Sequence, residues 1–187
     1  MPPAIVKTIR EEIYWQYAKL ISKAAGLGID SRGFQVSTFI KLRNEKIKWS
    51  SAIGEYVKEH ENRNVCIYCG LPEKLTLEHL LPRSRGGPNA TDNAIFICKK
   101  CNSSKGSKRL YEWFGYENRD KIPSIAEGKY LKLIFELHKN MGTLDISRNQ
   151  LQQLCCKCDL GEECKKIGKE GKLTIYCLEG IFTKQGK

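Results

Sequence analysis

The sequence predicts an α+β protein: a small strand–loop–strand–helix core set between a helical head and a helical, Cys-rich tail. Three observations predict it. Apolar residues in the head recur at steps of three and four, the period of a helix. Two short apolar runs in the middle flank a loop rich in Gly, Pro and Arg. Cysteines are absent before Cys66 and then fall into two groups. The regions divide at residues 1–62, 63–115 and 116–187.

In the head, Ile5, Ile9, Ile13, Tyr17, Leu20 and Ala24 make one apolar helical face, and Gly26 and Gly28 stop it. Residues 35–48 have no decisive period. Ser50 or Ser51 is placed to cap a short helix carrying Ile53, Tyr56 and Val57. In the middle region Leu75, Leu77, Leu80 and Leu81 bracket Glu78 and His79 in a strand-like run. Arg83, Arg85, Gly86, Gly87 and Pro88 form the loop. Asn93 opens the second run, 94–97, and a helix is expected from Ser103 to Phe114. In the tail, Ser124 and Glu127 have capping-box spacing after Pro123. The helix that follows presents Tyr130, Ile134, Leu137 and Met141 on one side. Trp15, Trp49 and Trp113 read as core or subdomain contacts rather than base-stacking platforms.

The 187 residues include 32 Lys and Arg against 21 Asp and Glu, a formal charge of +11. No run of 18 apolar residues exists, which excludes a membrane-spanning helix. The N-terminus has early acids and no long apolar stretch, unlike a secretory signal. A cytoplasmic protein is expected. Residues 63–113 hold 9 basic and 4 acidic residues, the densest excess in the chain. Such an excess favours a polyanion, because Lys and Arg on phosphates release condensed counterions; solubility is the alternative use.

Nine cysteines in a reducing compartment point to metal rather than disulfides. Cys66-x2-Cys69 and Cys98-x2-Cys101 are two knuckles with 28 intervening residues. Four thiolates close a tetrahedral Zn²⁺ site and leave no position for substrate, so this zinc is expected to be structural. Cys155-x2-Cys158-x5-Cys164, followed by Cys177, is a second set with ligand spacing, in which Cys156 could replace Cys155. A second structural zinc is the first reading. The spacing also resembles the iron–sulfur clasp of some DNA-processing nucleases, and a set without metal is a third reading. Lys165, Lys166, Lys169 and Lys172 lie within this module, as a solvated face or a DNA contact.

The stretches LEHLLPRSRGG, DNAIFIC and CNSSKG resemble the HNH, or ββα-metal, endonucleases, in the subgroup whose catalytic hairpin is framed by a four-Cys zinc site. The resemblance covers residues 63–115. It implies phosphodiester hydrolysis with a divalent cation. His79 has the intrinsic pKa of a general base near neutrality. Glu78, its strand neighbour, points to the opposite side of the backbone and offers a hard oxygen to Mg²⁺ or Mn²⁺. Asn102, at the start of the expected helix, offers an amide oxygen to the same ion. The resemblance assigns Asn93 to orient the histidine and steady the loop. Arg83, Arg85, Lys105 and Lys108 are candidates to grip the DNA backbone, with Lys105 expected nearest the scissile phosphate. Two positions depart from the family pattern. Asp is usual where Glu78 stands, so ligation through water is expected from the longer side chain. His is frequent where Asn102 stands, which favours Mg²⁺ or Mn²⁺ over a catalytic zinc.

These residues predict a metal-dependent endonuclease acting on double-stranded DNA, in a restriction, mobile-element, phage or repair role. With one His79 per chain, double-strand cleavage needs a homodimer or two successive events. A non-catalytic zinc-containing nucleic-acid binding module and an RNA-directed nuclease are the alternatives. The presence of Glu78, His79, Asn93 and Asn102 together argues against a vestigial core. His60 and His138 lack such a context and read as ordinary surface or helix residues.

Overall fold

The computed structural model describes residues 2–28, 31–47 and 64–184. Helix α1 spans Ile9–Ala24 and is capped by Thr8, whose Oγ1 accepts from the Glu11 N–H at 3.2 Å. Its expected face is buried at Ile9, Ile13, Tyr17 and Leu20. The chain leaves it through Gly26 at φ +72, a left-handed turn that glycine adopts without strain. Helix α2, Arg32–Arg43, occupies the stretch with no decisive period. Gln35 and Thr38 are buried beside Phe39 and Leu42, so polar residues sit on the inward face and hide its period. Trp15 meets the Phe39 ring edge-on at 6.1 Å. Trp49, His60 and the helix expected after Ser50 or Ser51 lie outside the described residues.

The middle region is a two-stranded antiparallel hairpin, β1 (Leu75–His79) and β2 (Ala94–Cys98), with Leu75 opposite Cys98 and His79 opposite Ala94. Strand β2 buries Ala94, Ile95, Ile97 and Cys98, while Leu77 on β1 is exposed. Helix α3 follows at once, Lys99–Lys105, and α4 spans Leu110–Phe114. The single helix expected from Ser103 to Phe114 is therefore two. The first begins four residues earlier than expected and ends at Gly106, whose φ of +51 breaks the helical ladder. With its helix packed on its hairpin, the fold is α+β, as expected.

Helix α5, Ser124–Asn140, starts without the expected capping box: Pro123 occupies the cap position and Ser124 is the first helical residue. Glu127 is buried and accepts from the Tyr111 hydroxyl at 3.0 Å, and burial raises its carboxyl to about 7. Tyr130 and Ile134 are buried as expected, but Met141 lies past the helix end and is exposed. His138 is fully buried, between the Thr143 hydroxyl at 2.7 Å and the Leu178 carbonyl at 2.9 Å. Desolvation lowers it to about 4, so it is a neutral core histidine. Two short helices close the chain, α6 (Gln152–Cys155) and α7 (Gly161–Lys166), before a 3-10 turn at Ile175–Leu178.

Helix α1 packs on α2, α5 and the 3-10 turn at Ile175–Leu178, in one buried cluster that includes Ile9, Ile13, Tyr130, Ile134 and Leu178. Tyr14 stacks on Phe135 at 6.0 Å, and an isolated bridge pairs Thr8 with Ser147. Among the described residues no helix is long and apolar enough to cross a membrane.

Candidate active site and metal centres

The first four cysteines converge. One ligand atom from each of Cys66, Cys69, Cys98 and Cys101 lies within 4.8 Å of every other. Cys69 Sγ is 3.7 Å from Cys98 Sγ, close to the edge of about 3.8 Å that a tetrahedron of 2.3 Å Zn–S bonds requires. The Cys101 N–H points at Cys98 Sγ at 3.4 Å. Burial pushes the Cys66 thiol up, but backbone N–H groups at Cys98, Cys69 and Tyr68 bring it down to about 7. Such donors favour thiolate at Cys66, the form that binds metal, while burial and the neighbouring thiols push Cys101 up. The set is compatible with a zinc site, joining the chain before β1 to the junction of β2 and α3.

Strand alternation splits the expected catalytic residues between two sides of β1. On one side, Glu78 Oε1 accepts from Lys105 Nζ at 2.6 Å, and the Asn102 amide donates to Thr76 Oγ1 at 3.3 Å. Thr76 and Glu78 share this face, and α3 lays Asn102 and Lys105 across it one turn apart. The face thus brings a carboxylate and an amide side chain together, with an ammonium already at the carboxylate. Two hard oxygen donors suit Mg²⁺ or Mn²⁺. Lys105 is 1% exposed, and its Nζ also donates to the His79 carbonyl at 2.9 Å. Desolvation lowers its pKa, opposed by Glu78.

On the other side, His79 and Leu77 line a cavity of about 370 Å³ with Asn89, Thr91, Phe96 and Lys129. His79 Nε2 is 3.2 Å from Asn89 Oδ1. A hydrogen bond to that oxygen takes the tautomer with the proton on Nε2. Asn89, not Asn93, is the asparagine within hydrogen-bond reach of this ring. Its place in a GGPNA turn gave no spacing signal to find it. Lys129, a cation from α5 at this cavity, was also missed, since nothing in sequence ties α5 to the hairpin.

Asn93 instead holds the loop. Fully buried, it accepts from the Leu81 N–H at 2.8 Å and donates to the Leu81 and Pro88 carbonyls, both at 2.9 Å. Gly87 closes against the same carbonyl: a Cβ there would fall 1.9 Å from Leu81 O. No other residue fits without moving the loop.

Of the four basic residues expected on the DNA backbone, the structure keeps two exposed, Arg83 and Lys108. Lys105 and Arg85 are internal. Arg85 Nε donates to the Ser107 carbonyl at 2.8 Å and Nη1 to Asp159 Oδ2 at 2.7 Å. Arg109, 0% exposed, shares Asp159 at 2.6 Å and Glu112 at 2.9 Å, and Nη1 donates to the carbonyls of Glu179, Gly180 and Phe182. Asp159 and carbonyls of the C-terminal segment take both arginines because that segment packs beneath the loop, a long-range contact that local sequence does not signal.

The second cysteine set is looser. Cys155, Cys158, Cys164 and Cys177 line one cavity of about 310 Å³. Among the described residues only the first set closes to within 4.8 Å. Cys156 also reaches this cavity but is exposed and donates to the Gln153 carbonyl.

Residues 66–108 match the family model of the HNH endonucleases, so the resemblance read from the motifs holds over this segment. Over 52 residues the chain is 35% identical to the CRISPR-associated endonuclease Cas9 of Corynebacterium diphtheriae. That stretch is 26% of this chain and 5% of the relative, so the chain spans a small part of the relative's length. No solved structure matches.

Proposed function

We propose that this chain is a metal-dependent endonuclease that hydrolyses phosphodiester bonds in double-stranded DNA. The observation that carries the reading is the His79 ring: it opens on a cavity, with Asn89 Oδ1 3.2 Å from its Nε2 and its other nitrogen, Nδ1, available to substrate water in this reading. In this reading Nδ1 takes the proton of the attacking water. Asn89 positions the ring and stabilises the cation that forms. Glu78 and Asn102, which bond Lys105 and Thr76 on the α3 side of β1, hold Mg²⁺ or Mn²⁺. When bound, the ion supplies positive charge against the phosphate oxygens and the leaving oxygen. Glu78 keeps its partner Lys105 at the back of the strand, which fixes the carboxylate's rotamer. Asn93 and Gly87 hold the loop that carries Arg83 along the backbone of the duplex. The endonuclease match of residues 66–108 and the Cas9 relative support a nucleic-acid substrate. A structural zinc on Cys66, Cys69, Cys98 and Cys101 fixes the two ends of the hairpin.

Supercoiled plasmid incubated with Mg²⁺, Mn²⁺ or EDTA tests this. Wild type should nick it with either metal and not with EDTA. His79→Ala should lose about 10²- to 10⁴-fold in rate, the usual contribution of a general base. Undiminished cleavage by His79→Ala would discard the mechanism.

A further inference from the structure

We infer that Cys155, Cys158, Cys164 and Cys177 bind a second Zn²⁺ ion, which staples the C-terminal segment and, through it, the loop of the hairpin. The four thiols come from four separate places, the end of α6, the turn after it, α7 and the 3-10 turn at Ile175–Leu178, yet face one cavity. None is in a disulfide. Backbone donors already point at their sulfurs as in the first set: Leu160 N–H at Cys158 Sγ, 3.4 Å, and Thr174 N–H at Cys177 Sγ, 3.5 Å. Gly180 clears the space around one of them, since a Cβ there would stand 2.2 Å from Cys158 Sγ.

The region has a physical need for such a staple. Helices α6 and α7 have four and six residues, too short to persist on their own hydrogen bonds. Between residues 151 and 173 the buried apolar residues are Leu151, Leu154, Leu160 and Leu173. Segments with so little core are commonly held by metal or disulfides. No three of the four sulfurs lie within 4.8 Å of one another, wider than the edge of about 3.8 Å in a tetrathiolate site. Binding draws them inward, and each thiol releases its proton to solvent as its S–Zn bond forms, four protons for one ion.

The site's own neighbours reach the hairpin. Asp159, next to Cys158, takes Arg85 and Arg109, and the carbonyls of Glu179 and Gly180, just past Cys177, take Arg109. Asp159 N–H also donates to the Gly180 carbonyl, tying the two arms together.

Zinc per chain is the test, read by elemental analysis of protein purified without chelator. Wild type should carry two. Cys164→Ser should carry one, and Cys156→Ser, outside the set, should keep two. Co²⁺ exchange into wild type supplies a reading that no variant's folding affects: sulfur-to-cobalt absorption should correspond to eight thiolates per chain. One zinc per wild-type chain, absorption for four thiolates, or two zincs in Cys164→Ser would overturn the inference. Iron with acid-labile sulfide in wild type would overturn it in favour of a cluster.

Discussion

The two sides of β1 use the same kinds of residue for opposite ends. On one side His79 opens on a cavity, with one exposed amide to orient it. On the other Glu78 is pressed against α3 by a lysine that solvent scarcely reaches. The basic residues divide in the same way. Arg83 and Lys108 are exposed, whereas Arg85, Lys105 and Arg109 are enclosed and matched by Glu78, Glu112 and Asp159. The excess of cations over residues 63–113 is therefore not all presented to a polyanion. Arg85, Lys105 and Arg109, three of the nine cations, are internal structure, holding the hairpin to the helix behind it and to the C-terminal segment below. Changes to the enclosed cations at the back should cost stability, and changes to the exposed residues at the front should cost nucleic-acid affinity or rate.

The largest stability effect should come from Arg109, the most enclosed cation of the back. Arg109→Met keeps the aliphatic stem but leaves Asp159 without one of its two arginines, Glu112 without its 2.9 Å partner, and the Glu179, Gly180 and Phe182 carbonyls with one donor fewer each. Breaking one partner out of a buried ion pair costs about 3–5 kcal/mol, and the partial exposure of Asp159 and Glu112 brings the expected loss to about 3 kcal/mol. Urea unfolding should show that loss. A change below about 1 kcal/mol would mean that the network is dispensable and that the back and front do not differ as described.

Lys105→Met is the sharper experiment, because Lys105 joins the two sides. Its ammonium bonds Glu78 on one side and the His79 carbonyl behind the other. Lys105 has one acid partner where Arg109 has two, so the loss should be smaller, about 2 kcal/mol. Removing a cation from the proposed metal ligand should also lower the Mg²⁺ concentration that gives half-maximal plasmid cleavage. An unchanged Mg²⁺ requirement would separate Glu78 from the metal and leave it a purely structural partner of Lys105.

Much of the front was legible in the sequence because it is local. Short apolar runs on either side of a Gly-rich loop specify a hairpin, and two CxxC knuckles specify their own convergence. Strand alternation alone placed Glu78 and His79 on opposite sides. The back was not legible for a stated reason: its contacts join residues about 70 positions apart, Arg85 to Asp159 and Arg109 to Glu179. No local period encodes such a pairing, so an arginine beside a catalytic motif reads as a DNA contact until its acid is found. Asn89 escaped for a related reason. The family pattern supplied an asparagine at Asn93, and only the loop's path shows that Gly87 and Pro88 turn Asn93 inward and leave Asn89 at the histidine. In α2 the reverse holds: buried Gln35 and Thr38 hid a helix that packing against α1 secures.

The smallest effect on stability should be at Arg83 and Lys108, where the comparison predicts the clearest dissociation between folding and binding. Neither side chain has a partner that its loss would strand in the interior, and surface substitutions of this kind stay within about 0.5 kcal/mol. A phosphate contact nevertheless contributes to DNA affinity through counterion release, and each one lost should reduce the salt slope of binding by about 1. Arg83→Ala and Lys108→Ala should therefore unfold like wild type in urea, bind duplex DNA more weakly at every sequence tested, and together flatten the dependence of log affinity on log salt by about 2. A double variant with wild-type salt dependence would place the duplex elsewhere. Lys99, Lys100 and the lysines on α7 would then be the exposed cations to examine, since burial already withdraws Arg85, Lys105 and Arg109 from any such contact.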